Sequence, residues 1–353
     1  MTDLKIAVVG AGMIGQRHIE MVRGSGQCSL CAIVDPSPEA ARLAERLAVT
    51  HFETLGDLLG KRAPDGVIVA TPNRLHAEQG LQCIAAGVPA LIEKPVTDTL
   101  DQGRELVRAA KAANVKVLVG HHRNHSAIMA KAAEIVASGV LGRIVAVAGT
   151  TLYYKDETDG YFDGPNAWRR EPGGGPILIN LIHAIGDLRG LVGEIVEVHA
   201  LASNRTRGFA VEDTAAISLR FADGALGTFL LSDTAASDHS WEHTSAEDMA
   251  IFGAAQSDDA DCYLISGTMG TLGIPTMRLR HYGSPAERSW RKPMRKSTIA
   301  VEAADPLERQ IANFCAVIRG EAEPVVSLRD GVANLAVVDA VGRSVRSGEI
   351  IRV

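Results

Sequence analysis

Five short apolar runs, KIAVVG (5–10), LCAIVD (30–35), GVIVAT (66–71), PALIEK (89–94) and VKVLVG (115–120), alternate with stretches of helical periodicity such as Ala77, Leu81, Ile84 and Ala85. A strand that is apolar at nearly every position is covered on both faces, and strands separated by helices are joined by crossovers that leave them parallel. Residues 1–122 therefore read as a doubly wound α/β domain of Rossmann type.

Past residue 122 the punctuation changes. A helix near 126–138 leads to the strand RIVAVAGTTLY and then to a Gly/Pro-rich connection, DGYFDGPNAWRREPGGGP, with a helix from about 177. IVEVHALAS, TAAISLRF, ALGTFLLS, DMAIFG and CYLISG follow at turn-sized separations with no helices between them, which implies an antiparallel sheet. Two helical patterns close the chain, PLERQIANFCAVIRG and DGVANLAVVDAVGRSVRSG. The expected second domain, 123–353, is α+β with a large, mostly antiparallel open sheet, and its helix 330–347 is a candidate to pack back on the first domain.

At 353 residues the chain has room for two such cores. A net charge of -6 and 4% aromatic residues speak against a nucleic-acid partner. No apolar run reaches the ~18 residues of a membrane helix, and MTDLKIAVVGAGMIG lacks the layout of a signal peptide. Five cysteines without framework spacing suit a reducing cytoplasm, the expected location. Cys28 and Cys31 form a C-x-x-C with no second pair, and are read as lying on the way into a buried strand.

VVGAGMIGQRH places Gly10, Gly12 and Gly15 in G-x-G-x-x-G spacing between a strand and a helix. In that context the glycines serve a tight turn, a pyrophosphate and close helix–strand packing, and the helix N-terminus with Met13 and Ile14 offers N–H groups to the anion. Asp35 ends the second strand, where a carboxylate can accept from the adenosine ribose and repel a 2′-phosphate. The expected cofactor is NAD, with NADP disfavoured.

The strand ends TPNRLHAE (71–78) and EKP (93–95), with GHHRNH (120–125) and WRREPGGG (168–175), resemble the Gfo/Idh/MocA oxidoreductases, which include glucose–fructose oxidoreductase and inositol dehydrogenases. The resemblance runs over essentially the whole chain. It implies a Rossmann domain, a sheet domain, hydride transfer between a nicotinamide and a sugar or polyol carbon, and a homodimer or homotetramer through the open sheet face. It sets Thr71, Pro72, Asn73 and His76 along the cofactor, with a packing or capping role as the other reading of His76. Glu93 and Lys94 fall beside the nicotinamide, with Lys94 near the reacting hydroxyl; the Lys94–Pro95 bond is often cis in relatives. Arg123 is expected at the cofactor, and His122, Tyr154, Trp168 and Arg169 at the substrate. Tyr153 and Lys155 flank Tyr154. HHRNH is not read as a metal site, and no metal is expected.

Oxidising an alcohol needs a base for the hydroxyl proton, and a positioned one contributes ~10²–10⁴-fold. Lysine and histidine serve because burial and a neighbouring positive charge free a lone pair at neutral pH. In GGGPILINLIH (173–183) Pro176 suits a first helical turn, and the glycines allow a ligand to approach the backbone. α-helical spacing puts Ile179, Asn180 and His183 on one face. Many relatives carry an Asp–His pair here. His183 matches the histidine, but Ile179 stands at the aspartate position. His183 is accordingly expected to act without carboxylate support from its helix, Lys94 to carry more of the proton transfer, and Asn180 to meet substrate. Lys94 and His183 are the expected catalytic pair, converging on one carbon. The loop SDTAASDHSWEHTSAED, with His239, Trp241, Glu242 and His243, is a candidate cover for the sugar end.

The expectation is an NAD-dependent dehydrogenase of a small-molecule sugar or cyclic polyol. Three alternatives stay open: a cis-dihydrodiol dehydrogenase of aromatic catabolism, a non-catalytic NAD-binding sugar sensor, and an NAD-dependent glycosidase.

Overall fold

A computed structural model of the chain describes residues 3–61, 64–247, 257, 259–302 and 304–353. Its contacts divide it into two units, 1–125 with 305–335, and 126–304 with 336–353.

The first unit is built on a sheet of β1 (Leu4–Val9), β2 (Cys28–Val34), β3 (Thr50–Phe52), β4 (Gly66–Val69), β5 (Ala90–Glu93) and β6 (Val117–Gly120). All pairings are parallel, in the order β3-β2-β1-β4-β5-β6. β4, β5 and β6 are buried along their whole length, as their unbroken apolar runs require. Strand order reverses at β1/β4, and the crevice beyond the carboxyl ends at such a point is where doubly wound sheets bind ligands. The helices α1 (Met13–Gly24), α2 (Pro38–Arg46), α3 (Leu55–Lys61), α4 (His76–Ala85) and α5 (Leu100–Ala113) follow successive strands. β3 went unread in the sequence because three residues, one exposed and two half-buried, make no pattern.

In the second unit α6 (Ala127–Ala137) precedes β7 (Ile144–Leu152), and α7 (Ile182–Val192) precedes β8 (Ile195–Ser203), β9 (Thr214–Phe221) and β10 (Leu226–Ser232). A short helical turn, α8 (Trp241–Thr244), is followed by β11 (Tyr263–Gly267), β12 (Gly270–Ile274), β13 (Arg278–His281), β14 (Arg295–Thr298) and β15 (Ile351–Arg352). Among the described residues the sheet has nine strands, ordered β14-β13-β12-β11-β7-β10-β9-β8-β15. Among the described residues of this sheet only β7 and β10 pair in parallel. One face packs against α6 and α7 in a core that includes Leu181, Leu188, Phe221, Phe229 and Trp241. The expected strand DMAIFG (248–253) lies outside the described residues.

Two helices complete the chain, α9 (Pro306–Arg319) and α10 (Leu328–Ser347). Residues 305–335, including all of α9, belong to the first unit, where Phe314 and Cys315 join the β1 side of the core. Among the described residues no helix is long and apolar enough to cross a membrane.

Candidate active site

In the first unit the three glycines do different work. Gly10 has φ +90°, and a Cβ there would lie 2.6 Å from Ala70 O, so the loop after β1 turns directly against the end of β4. A Cβ on Gly15 would lie 2.0 Å from Gly10 O. Gly12, the residue before α1, would meet nothing within 4 Å. Open space at the first N–H groups of a helix is what an incoming pyrophosphate needs. Met13 is 68% exposed beside it, and Ile14 is half-buried.

Asp35 closes the same crevice. Its Oδ2 accepts from Ala11 N at 2.8 Å and its Oδ1 from Ser37 N at 2.9 Å. Burial works against its charge, but the hydrogen bonds from Ser37 and Ala11 outweigh it and hold the carboxyl below its usual range. The residues present therefore fit a dinucleotide: open helix N–H groups for the anion, and an ionised carboxylate at the end of the next strand.

Thr71 and Asn73 are half-buried and Pro72 is exposed, in the turn that leaves β4. His76 is fully buried, with Nδ1 2.8 Å from Pro95 O and Nε2 2.8 Å from Thr71 O. Its ring ties the TPN turn to the EKP corner rather than lining a ligand surface, so the packing role is the one the structure supports. Lys94–Pro95 is cis.

Glu93 is buried beneath that corner. His18, from α1, meets its Oε1 at 2.8 Å, and Lys94 N donates to its Oε2 at 3.2 Å. A Cβ at Gly120 would fall 2.5 Å from the same carboxylate, so β6 needs a glycine there. Burial opposes the Glu93 charge most strongly, yet His18, Lys94 and His122 together hold it below the usual carboxylate range. Lys94 itself is half-buried at the carboxyl end of β5. His18 was missed in the sequence; its one signal is its place three residues after Gly15, on the face of α1 buried against the sheet.

In GHHRNH, His121, Arg123 and His125 are buried and His122 is half-buried. Burial, with His122 and Arg309 adding to it, pushes the His125 pKa down to about 3. Arg123, expected at the cofactor, is 4% exposed within this turn. Among the described residues no group of His, Cys, Asp or Glu is arranged to hold a metal ion.

The second unit carries the other expected residues. Gly174 cannot take a Cβ without reaching 2.7 Å from Arg169 Cα and Trp168 O, and at Gly175 one would lie 2.7 Å from Glu212 Oε1. Two of the three glycines thus admit the chain's own WRR turn and Glu212, where the sequence suggested a ligand. Glu212 in turn accepts from Ile177 N at 2.8 Å, satisfying an N–H at the helix start. Residues Ile177–Leu181 form a π-helical turn before α7. The α-helical spacing expected through Ile179 and Asn180 therefore fails locally, a distortion often found at functional sites.

His183 is buried on α7, and Ile179 and Asn180 are half-buried. The helix is not without a carboxylate: Asp187, fully buried, stands one turn after His183 and accepts from Tyr263 OH at 2.8 Å. Tyr154 and Trp168 are 56% and 44% exposed. Trp241, expected on a covering loop, is 1% exposed and packs near Tyr263 in the core.

Lys155 is the residue that sequence reasoning undervalued. Its Nζ donates to Tyr161 OH and Asn180 Oδ1, each at 2.9 Å, and lies 4.0 Å from Asp233. Burial, only partly offset by Asp233 and Glu242, lowers its pKa to about 8. Arg207, 2% exposed in its side chain, bonds to Asp233, Glu157 and the Lys155 carbonyl and closes the back of the cluster.

Residues 4–121 match the family model described as "Oxidoreductase family, NAD-binding Rossmann fold", and residues 129–273 match the "GFO/IDH/MocA C-terminal domain". The chain belongs to the Gfo/Idh/MocA oxidoreductase family. As a Gfo/Idh/MocA protein it carries an NAD-binding Rossmann domain followed by the family's sheet domain. It is 27% identical over 97% of its length to 1,5-anhydro-D-fructose reductase of Ensifer adhaerens, covering 96% of that protein. It is 28% identical over 98% of its length to inositol 2-dehydrogenase of Rubrobacter xylanophilus, covering 92%. Among solved structures, the WlbA dehydrogenase from Bordetella pertussis, crystallised with NADH and UDP-GlcNAcA, superposes with a TM-score of 0.78 over 100% of this Gfo/Idh/MocA chain and 99% of that one, at 23% identity.

Proposed function

We propose that the protein is an NAD-dependent dehydrogenase acting at a secondary or anomeric hydroxyl of a sugar or cyclic polyol. The observation that carries the proposal is the corner at the end of β5, where Lys94 rises from a backbone held by the buried Glu93–His18 pair, in the unit that fits a dinucleotide. Relatives named for an anhydrofructose and an inositol support the substrate class.

Bound NAD supplies the acceptor for the hydride that leaves the carbinol carbon. The side chains supply the rest. Lys94 Nζ takes the hydroxyl proton as that carbon becomes a carbonyl. His183 is the second residue proposed to serve the reaction, as a hydrogen-bonding group. Asp35 selects NAD by accepting from the ribose and repelling a 2′-phosphate. His18 and Glu93 fix the Lys94 backbone and contact no substrate.

A panel of sugars, polyols and dihydrodiols, each with NAD and NADP and followed at 340 nm, tests the proposal. Stoichiometric NADH from a polyol is expected, with Lys94→Ala cutting turnover about 10²–10⁴-fold while NAD still binds. No free NADH from any member would favour a sensor or a glycosidase, and near-normal turnover in the variant would remove Lys94 from the chemistry.

We further propose that the chain self-associates through the sheet. By register, Leu201, Leu226, Leu230 and Leu264 share the face opposite the helices, and they are 42–66% exposed. Leucines gathered on one flat face fit a second copy of the same surface.

A further inference from the structure

The cleft in the second unit is lined by Lys155, Tyr161, Arg169, Arg207, Glu212 and Asp233, with apolar walls that include Ile179. Its cations are unevenly matched. Arg207 is satisfied by Asp233, Glu157 and two carbonyls. Lys155 shares Asp233 with it. Arg169 has no carboxylate within 4.0 Å among the described residues; its one hydrogen bond runs from Nη1 to Tyr161 O at 2.8 Å. Its Nε is buried with no acceptor, and its guanidinium lies 4.0 Å from the centre of the Tyr161 ring, which holds its plane. Of the acids here, Asp233 bonds Arg207 within the cleft and Glu212 accepts from Ile177 N, while Glu242 also acts on Lys155; none of them pairs with Arg169.

Asn180, outside the lining of the cleft, holds the Lys155 ammonium through its Oδ1. A lysine ammonium can only donate, so its bond to Oδ1 fixes the amide orientation and turns Nδ2 away from it. Nδ2 has no partner among the described residues. A guanidinium held in plane on the Tyr161 ring, with a single hydrogen bond inside the chain and no carboxylate partner, is suited to a carboxylate, which it grips through two parallel N–H bonds.

We propose that this cleft is a carboxylate subsite, with Arg169 as the specificity-determining residue and the Lys155–Asn180 pair as its support, so that the substrate is a sugar acid or other polyhydroxy acid. The dehydrogenase proposal supplies the hydroxyl of that substrate; the acid is argued independently of turnover.

Matched probes separate the two ideas: D-glucuronate against D-glucose, and quinate against myo-inositol, measured by calorimetric binding to the whole protein and by NADH formation. One acid is expected to bind at least tenfold tighter than its neutral partner. Arg169→Gln should erase that preference, and Arg169→Lys should restore part of it. Equal or tighter binding of both neutral partners, no measurable binding of either acid, or a preference that survives Arg169→Gln would overturn the subsite. Acid-selective binding with no NADH from any probe would keep the subsite and sink the dehydrogenase.

Discussion

Asp35 binds two N–H groups of its own chain before any ligand arrives, and these bonds keep it ionised against the pull of burial. Its charge is therefore in place to reject a 2′-phosphate whether or not NAD is bound. Asp35→Ser should raise the Michaelis constant for NAD about tenfold, since a hydrogen bond to a charged group contributes about 1.5–3 kcal/mol, and should relax discrimination against NADP. Steady-state kinetics with both cofactors measure this; an unchanged preference would separate Asp35 from the ribose. Lys94, Asp35 and Arg169 could be singled out from local motifs because each stands at a recognisable strand end or loop. His18, Lys155 and Asp187 could not, since their meaning lies in partners far along the chain: Glu93, 75 positions on; Asn180, 25 on; and Tyr263, 76 on.

Among the elements, the glycine loop and α1 give the sharpest contrast. A methyl at position 15 would collide with Gly10 O, whereas one at position 12 would meet no protein atom. Gly15→Ala should destabilise the fold by about 1–3 kcal/mol, the usual cost of overpacking. Gly12→Ala should leave the melting temperature of the apo protein near wild type while weakening NAD binding. Thermal melts with and without NAD read both, and equal losses in the two apo variants would refute the division of labour. The parallel strands were readable because burial on both faces writes a continuous apolar run. The strands β12 to β15 were not, since they are short and alternate weakly, and β14 is exposed at every residue. The π-helical turn was equally hidden: GGGPILINLIH reads as an ordinary helix start, and the distortion appears only once Glu212 and the WRR turn are packed against it.

For the whole molecule, one face of the nine-stranded sheet is covered by helices and the other presents leucines to the outside. Burying a leucine fully contributes about 1.5–3 kcal/mol, so a pair of copies would bury several at once. Leu230→Glu with Leu264→Glu should convert an oligomer to a monomer in light scattering, with the first unit's NAD affinity unchanged. A wild-type monomer at micromolar concentration, or an oligomer indifferent to both charges, would rule the interface out.

The Glu93–His18 contact also limits how this chain could be recombined. The histidine arrives with the first βαβ unit and the carboxylate with a later strand, so a swap with another dinucleotide-binding domain whose seam falls between them separates the two. Losing one partner of a buried hydrogen bond costs roughly 1–3 kcal/mol, and more where a carboxylate is left unsatisfied, enough to weaken many chimeras. Crossovers that inherit positions 18, 93 and 120 from a single parent avoid that penalty, which makes these three residues, and not the visible glycine fingerprint, the natural unit of exchange.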